Sequence, residues 1–274
     1  MAISTFLANN LNDLVFGGTA YTPPTNISVQ LWNASAQTAY DGYSAQTIAV
    51  GTGTWNAAAT DGSGRAVISP TSLPTFPAPN SLSGDADITE LRLYDGANLL
   101  YTLTFATAIQ LSVGDAIEIT TLDVRLGDDT TSGFSNAIEL ALLNHVFRGT
   151  VYTPPANLFF DAYSTAPSVA DGSGGTLTDY GSYAQVSVAN NATNFPNAVT
   201  STNDSVKSTG AQIDFIQATS DATSNIAAIA VWNEAGRTNL IAVAPLPTSK
   251  PVQSGNNVYI PNGQELMRIK PTAA

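Results

Sequence analysis

The pattern of apolar and polar positions along the chain predicts mainly short β-strands. Apolar and polar residues alternate strictly in five segments: 27–31, 91–94, 117–119, 122–126 and 184–188. Alternation of this kind is typical of half-buried antiparallel strands. Turn sequences such as Asp95-Gly96 and Gly114-Asp115 separate the segments. No long helical pattern alternates with the strands, so the sequence disfavours a βαβ fold.

Two short helices are also predicted. Ser4 or Thr5 can cap the first helix and Gly17-Gly18 ends it, whereas Ser135 can cap the second and Gly149 follows its end. The apolar stripes are Phe6, Leu7, Leu11, Leu14 and Val15 in the first helix, and Ile138, Ala141, Leu142 and Val146 in the second. Helices of about three turns are unstable alone in water, so both stripes must be buried against a larger structure.

The chain contains two copies of one sequence unit. Residues 15–24, Val-Phe-Gly-Gly-Thr-Ala-Tyr-Thr-Pro-Pro, match residues 146–155, Val-Phe-Arg-Gly-Thr-Val-Tyr-Thr-Pro-Pro, at eight of ten positions and an offset of 131 residues. Weaker similarities follow in the same order: 43–46 with 183–185, 91–95 with 229–233, and 112–119 with 253–260. A period this long indicates a duplicated domain rather than a solenoid.

The repeat predicts two domains, residues 1–131 and residues 132–274, joined at the polar segment 128–133. Each copy has an ordinary domain size, so we expect each to bury its own core. The predicted fold is mainly β, with two tandem antiparallel β-sandwich or jelly-roll-like domains, each carrying a short N-terminal helix.

Composition excludes several classes of protein. The chain has no cysteine, which excludes a disulfide scaffold and a cysteine-ligated zinc site. Its net charge is −12 and its nine basic residues are scattered, so we expect no nucleic-acid partner. No apolar run approaches the ~20 residues that cross a bilayer, and residues 1–5 do not resemble a secretory signal. We therefore expect no membrane association, and folding in a cytosol.

Neither the histidine nor the glycine loops predict catalysis. His145, the only histidine, lies on the second predicted helix, where the first copy has Leu14, and we interpret it as structural or surface-exposed. The glycine loops 61–64 and 171–175 precede no helix and lack the Lys-Ser/Thr of a phosphate-binding loop. We interpret both as hairpin loops.

The carboxylates are spread along the chain. Asp85, Asp87 and the pair Asp128-Asp129 lie in polar connecting segments, so we interpret them as solvated loop charges rather than as a glycosidase pair. An alternative is a Ca²⁺ site at Asp85 and Asp87, or at Asp171 and Asp179. The prediction is that the chain is not an enzyme and has no catalytic residue, no cofactor and no metal.

Aromatic residues give the one indication of ligand binding. They are Trp32, Tyr40, Tyr43 and Trp55 in the first copy, and Tyr163, Tyr180 and Tyr183 in the second. Exposed aromatic side chains on a β-sandwich can stack on sugar rings, whereas buried ones fill cores and subunit contacts. We favour the second interpretation.

The repeated unit combines a helix ending in Val-Phe-Gly-Gly-Thr, then Tyr-Thr-Pro-Pro, a strand, and a glycine-rich loop before Tyr-Ala-Gln. This combination resembles tailed-bacteriophage virion proteins of the kind often labelled tail-fibre or minor structural proteins. The second copy is the more similar, through residues 142–150, 152–155, 171–175 and 183–185. The first copy has a shorter loop before Tyr43 and an additional proline-rich segment, 70–79. The resemblance implies a compact β-rich virion component without catalytic residues.

The resemblance leaves the place in the particle open. The expected partners are other virion proteins, either the major capsid protein or tail proteins, and we expect a homo-oligomer. A capsid cement or decoration protein is favoured, because the sequence lacks the coiled-coil heptads and collagen-like repeats of elongated fibres. The alternatives are a tail fibre or baseplate component that contacts the host, and a free sugar-binding module or glycan hydrolase.

Overall fold

The computed structural model describes residues 2–33, 36–37, 40–82, 87–115, 117–127 and 132–270. Its helices are α1 (Thr5–Val15) and α2 (Asn136–Arg148). The strands of the first copy are β1 (Ala2–Ile3), β2 (Asn26–Asn33), β3 (Ala36–Gln37), β4 (Gln46–Ala49), β5 (Ala59–Thr60), β6 (Ala66–Ile68), β7 (Thr75–Phe76), β8 (Ile88–Asp95), β9 (Asn98–Ile109), β10 (Ile117–Glu118) and β11 (Val124–Leu126). Those of the second copy are β12 (Gly133–Phe134), β13 (Asn157–Thr165), β14 (Thr176–Leu177), β15 (Val186–Ala189), β16 (Val199–Ser201), β17 (Asp204–Ser208), β18 (Ile213–Asp214), β19 (Ile226–Trp232), β20 (Leu240–Lys250), β21 (Tyr259–Ile260) and β22 (Glu265–Ile269).

Both helices begin at the predicted caps. The Ser4 hydroxyl accepts a hydrogen bond from the Leu7 N–H at 3.1 Å, and the Ser135 hydroxyl accepts one from the Ile138 N–H at 3.4 Å. Gly149 ends α2 in the left-handed conformation, with φ at 66°. The local sequence therefore determines where the helices begin and end.

Within the described residues, each copy contains one large antiparallel sheet and two small ones, in the same order. The large sheets run β1-β9-β8-β2-β3, with β4 on β2, and β12-β20-β19-β13-β14, with β15 on β13. The three-stranded sheets are β11-β6-β5 and β16-β17-β22, and the two-stranded sheets are β10-β7 and β18-β21. The predicted fold of two tandem, mainly β domains is confirmed. The glycine loops 61–64 and 171–175 lie in the β5–β6 and β13–β14 hairpins, as predicted.

Each helix reaches across to the other copy, and we call this reciprocal arrangement the exchange of the helices. Helix α1 packs on β16, β17 and β22 of the second copy as well as on β9 of its own, and α2 packs on β5, β6 and β11 of the first as well as on β20 of its own. Phe147 of α2 lies against Trp55 of the first copy, with ring centroids 4.6 Å apart. Phe16, just after α1, lies 6.1 Å from Phe195 of the second copy. Phe16 and Phe147 hold equivalent positions in the repeat, so the exchange is reciprocal.

Hydrogen bonds from each helix also cross to the other copy at equivalent positions. An Asp13 carboxylate oxygen accepts the Ala198 N–H at 2.6 Å, and the Asn144 side-chain oxygen accepts the Ala58 N–H at 3.1 Å. Asp13 and Asn144 are also equivalent in the repeat. One continuous hydrophobic core consequently runs through both copies. The expectation that each copy buries its own core was wrong, because each helix completes its apolar contacts on a small sheet of the other copy.

Candidate functional site

His145 is a structural residue that joins the two copies. Its side chain is buried, its Nε2 lies 2.9 Å from the Tyr21 carbonyl oxygen, and its Nδ1 accepts the Tyr152 N–H at 3.3 Å. With Nδ1 accepting, the proton is on Nε2, which donates to Tyr21. Tyr21 and Tyr152 are the equivalent tyrosines of the two Tyr-Thr-Pro-Pro segments. Both ring nitrogens are therefore used in holding these segments together.

Of the carboxylates beside the second glycine loop, Asp171 stabilises a local turn, whereas Asp179 joins two segments that are 44 residues apart in the sequence. Asp171 accepts hydrogen bonds from the Ser173 N–H at 3.0 Å and the Ser173 hydroxyl at 2.8 Å, and these bonds lower the pKa of Asp171. Asp179 accepts from the hydroxyl and the N–H of Thr223, which lowers the pKa of Asp179. Each carboxylate therefore serves as the acceptor for a neighbouring backbone segment.

The other proposed acids form no metal site in the described residues. Asp85, Asp128 and Asp129 lie outside those residues, and Asp87 is placed just before β8. Within the described ranges no three side chains of His, Cys, Asp or Glu converge to hold a metal ion. The described chain likewise contains no helix long and apolar enough to cross a membrane.

Most of the candidate aromatic residues belong to the core. Tyr40 and Tyr43 meet edge to face with ring centroids 5.2 Å apart, and Tyr180 and Tyr183 repeat this contact at 5.3 Å. Trp55 is fully buried. These residues fill equivalent places in the two copies, so the core interpretation is right for them. Trp32 differs, because it is half-buried on the outer face of the large sheet.

An ion-pair network around a buried carboxylate, which the sequence did not reveal, lies on β13 of the second large sheet. Asp161 is fully buried and accepts hydrogen bonds from the Tyr183 hydroxyl at 2.7 Å, from Gln185 Nε2 at 2.6 Å, and from Arg237 Nε and Nη2 at 2.7 and 2.8 Å. Burial, reinforced by the Asp161 charge, raises the pKa of Tyr183. The hydrogen bond to Asp161 raises the pKa of Arg237. The only sequence signal was a charge, Asp161, at a strand position where the first copy has Gln30.

Removing the arginine of this network should destabilise the protein. We expect Arg237→Met to lower the free energy of unfolding by about 3 kcal/mol, because Asp161 would remain as an uncompensated buried charge. Urea denaturation of the full chain measures the change. The control is Arg65→Met, which removes one of the two arginines of Asp61, leaves Arg125 paired with it at 3.4 Å, and should cost less than about 1 kcal/mol. Equal effects of the two substitutions would contradict the prediction.

A cleft of about 990 Å³ lies between the copies, and its arginines are already paired. Its walls include Ile3 and Phe134, from the first strand of each copy. Arg125 on its wall pairs with Asp123 at 3.1 Å, and Arg268 pairs with Glu265 at 2.6 Å. The charges of these two arginines are therefore neutralised by carboxylates of the protein itself.

The chain thus forms two tandem β domains joined by their helices, and His145 and the buried ion pairs of the described residues hold structural contacts. The chain belongs to the family described as Podophage GP4 fiber I protein gp80, whose model matches residues 2–127 and again residues 133–267. No curated protein matches the chain. The two matched segments coincide with the two copies, so the resemblance to phage virion proteins is confirmed. The protein is thus a structural component of a phage virion, where its partners are other virion components.

Proposed function

We propose that the chain is a non-enzymatic component of the phage fibre apparatus that contributes to attachment to the host. The observation that carries the proposal is the match to a fibre family over both copies. This favours the tail-fibre alternative over the capsid cement protein that was expected first. The absence of coiled-coil heptads had favoured the capsid, but a β-rich fibre can be assembled from compact domains without a helical shaft.

The exchanged helices suit a component under mechanical load. Pulling the copies apart would require extracting α1 from the second copy and α2 from the first, which would expose Trp55 and Phe195 to water. Fully burying a large apolar side chain contributes about 1.5–3 kcal/mol. The interlocked arrangement therefore supports a part that transmits force between the host surface and the particle.

Exposed apolar side chains support contacts with other subunits. Val151, Val199, Val113 and Ile216 are 77%, 60%, 59% and 53% exposed, respectively. Interface cores are depleted in charged residues and take up apolar side chains. We propose that the chain contacts further copies of itself and neighbouring tail proteins through such positions.

The proposal can be tested on purified particles. Antibodies against this chain should label the tail in electron micrographs. Quantitative mass spectrometry should give a copy number per particle that is a small multiple of the tail symmetry. A shell protein would instead be present in roughly hundreds of copies. The purified chain, added in excess, should also slow adsorption of particles to bacteria. Uniform labelling of the capsid would refute the fibre placement.

A further inference from the structure

The surfaces on which α1 and α2 dock can be compared position by position. The N–H groups that bond to Asp13 and Asn144 lie one residue before β16 and β5, respectively. From there the pairing of β16, β17 and β22 follows the same register as that of β5, β6 and β11. The corresponding residues, with the second copy first, are Ser205 with Ala66 and Lys207 with Ile68. All four side chains are buried, so these differences lie inside the helix contacts.

The contact of α1 with the second copy is polar. Asn12 is fully buried, and its Nδ2 donates to the Ser205 hydroxyl at 2.8 Å. On the next residue of the helix, the Asp13 carboxylate accepts the Lys207 Nζ at 2.6 Å. Each buried group of such pairs is costly without its partner, so the helix and the sheet depend on each other at both positions.

The contact of α2 with the first copy is mainly apolar at the same places. Leu143, Ala66 and Ile68 stand where the α1 contact has an amide, a hydroxyl and an ammonium, and all three are buried. Asn144 stands in the place of the Asp13 carboxylate. Here neither the helix nor the sheet has a charge at the positions of the buried ion pair.

The end of each helix adds a steric and electrostatic difference. Arg148 of α2 corresponds to Gly17, which follows α1. A Cβ atom added at Gly17 would lie 3.2 Å from the Lys207 Nζ and 2.9 Å from the Phe195 carbonyl oxygen. If α2 docked on the second copy, Arg148 would bring a larger side chain and a second positive charge against Lys207. The second copy therefore tolerates the glycine of α1 but not the arginine of α2.

We propose that these residues form a pairing code that restricts each helix to the small sheet of the unlike copy. The surface around Ser205 and Lys207 accepts α1, from its own chain or from a second copy of this chain, and rejects α2. The surface around Ala66 and Ile68 accepts α2 and rejects α1. This inference goes beyond the proposed function, because it concerns which copies pair wherever the protein lies in the particle.

The code acts by making the wrong pairings unfavourable. Between the first copies of two chains, α1 would place Asn12 and Asp13 against side chains that have neither a hydroxyl nor an ammonium group. Between two second copies, α2 would place Leu143 against the Ser205 hydroxyl and leave the Lys207 ammonium without a carboxylate. Specificity between similar partners commonly depends on such unpaired polar groups. Because like-copy pairing would link chains to one another by their helices, the code favours a chain that closes on itself.

Competition between the two small sheets for α1 tests the code. The chain has no cysteine, so Asn9→Cys, Thr200→Cys and Thr60→Cys introduce the only thiols. The Asn9 Nδ2 lies 3.2 Å from the Thr200 Oγ1, and Thr60 is the counterpart of Thr200 in the first copy. The full chain is refolded from urea at high protein concentration and treated with a short thiol-reactive cross-linker. Peptide mass spectrometry then gives the ratio of 9–200 links to 9–60 links.

The ratio should depend on the code residues. With the natural code, 9–200 links should exceed 9–60 links by about tenfold or more. A matched variant gives the α1 contact the residues of the α2 contact through Asn12→Leu, Asp13→Asn, Ser205→Ala and Lys207→Ile. Both small sheets then present the same residues to α1, so the ratio should fall by about tenfold and light scattering should detect linked chains.

Milder variants separate the code from a loss of folding. Asn12→Leu with Ser205→Ala keeps the ion pair, and it should lower the ratio by about threefold. The control is Asn10→Leu, at a position whose side chain bonds to the Phe6 carbonyl oxygen of its own helix, and it should leave the ratio unchanged. Thermal melts verify that each variant is folded.

Two results would overturn the inference. The first is that α1 of the natural code is linked equally to both sheets. The second is that the folded variants keep the ratio of the natural code, which would show that the connection of the chain selects the sheet. Neither result bears on antibody labelling of the tail, so the fibre proposal stands or falls separately.

Discussion

Neither half of the chain will fold by itself into a stable monomer, although together the two halves will reassemble. We propose a boundary between residues 131 and 132, in the interval between the family-matched segments that end at 127 and begin at 133. The fragment 1–131 lacks α2, which covers β5, β6 and β11, and the fragment 132–274 lacks α1, which covers β16, β17 and β22. Each fragment would expose a small sheet that is unstable without its helix.

The free energy lost by uncovering these side chains is large enough to abolish the folded monomer. Trp55 loses its contact with Phe147 in one fragment, and Phe195 loses its contact with Phe16 in the other. At about 1.5–3 kcal/mol for each large apolar side chain uncovered, a few such residues match the 5–15 kcal/mol that stabilises a whole domain.

Circular dichroism and light scattering test this prediction. Each fragment alone should lack the cooperative melt of the full chain, or should form a homodimer in which one helix type serves both copies. An equimolar mixture should give a 1:1 complex with a cooperative melt. The control is the full chain cut after folding at a protease site in the linker, which should stay associated. Two monomeric fragments, each with its own cooperative melt, would contradict the prediction.

The second large effect is expected at the buried pair between the copies. Lys207 is fully buried, and its Nζ lies 2.6 Å from an Asp13 oxygen that also accepts the Ala198 N–H. We expect Asp13→Ala to lower the free energy of unfolding by about 3–5 kcal/mol, because it leaves a buried ammonium and a part-buried N–H without their acceptor. Urea denaturation at pH 7 measures the loss.

The repeat supplies a matched control for this experiment. Asn144 is equivalent to Asp13 and accepts the Ala58 N–H, which belongs to the same kind of contact in the other copy. Asn144→Ala should cost about 1–3 kcal/mol, since it removes the acceptor of the Ala58 N–H and of Arg148 Nη1 but leaves no fully buried charge. The double variant Asp13→Asn with Lys207→Met should recover much of the stability. A larger loss for Asn144→Ala than for Asp13→Ala would show that the buried charge is unimportant.

The pair also predicts a dependence on pH. Burial lowers the pKa of Lys207 from its ordinary value of 10.5, while Asp13 acts in the opposite direction. Between the lowered folded pKa and 10.5 the unfolded chain binds more protons, so stability contributed by this group rises with pH. Asp13→Ala lowers the folded pKa further. The stability deficit of the variant relative to the wild type should therefore shrink as the pH is raised from 7 to 10. Because the variant and the wild type are compared at the same pH, the contribution of the buried tyrosines cancels. A deficit that stays constant from pH 7 to pH 10 would contradict the prediction that Asp13 stabilises a buried Lys207 ammonium.

Local features of the fold could be predicted well. Ser4 and Ser135 cap the helices, Gly149 ends α2, and the glycine loops lie in hairpins, because each of these depends on a few neighbouring residues. Alternation located β2, β8, β11 and β15 for the same reason, since the residues facing one side of a strand share one environment.

The candidate sites were harder to predict, because they depend on contacts between residues far apart in the sequence. His145 could be interpreted as structural, but its two partners, Tyr21 and Tyr152, belong to different copies. Lys207 and Arg237 have the sequence context of ordinary surface cations, and only the packed structure pairs them with Asp13 and Asp161. Trp32 was one of several aromatic candidates until burial separated it from the residues of the core.

The sequence by itself determined the duplication, the strand-rich class, the helix ends and the membership of a phage structural family. The tertiary structure decided on which copy each helix packs. An apolar stripe can pack on any sheet of complementary shape, and the spacing of its apolar residues does not identify that sheet. The tertiary structure also decided which aromatic side chains reach the core, since burial separates the half-buried Trp32 from the fully buried Trp55. Periodicity reports the environment of a residue, whereas partners are selected by packing across the whole molecule.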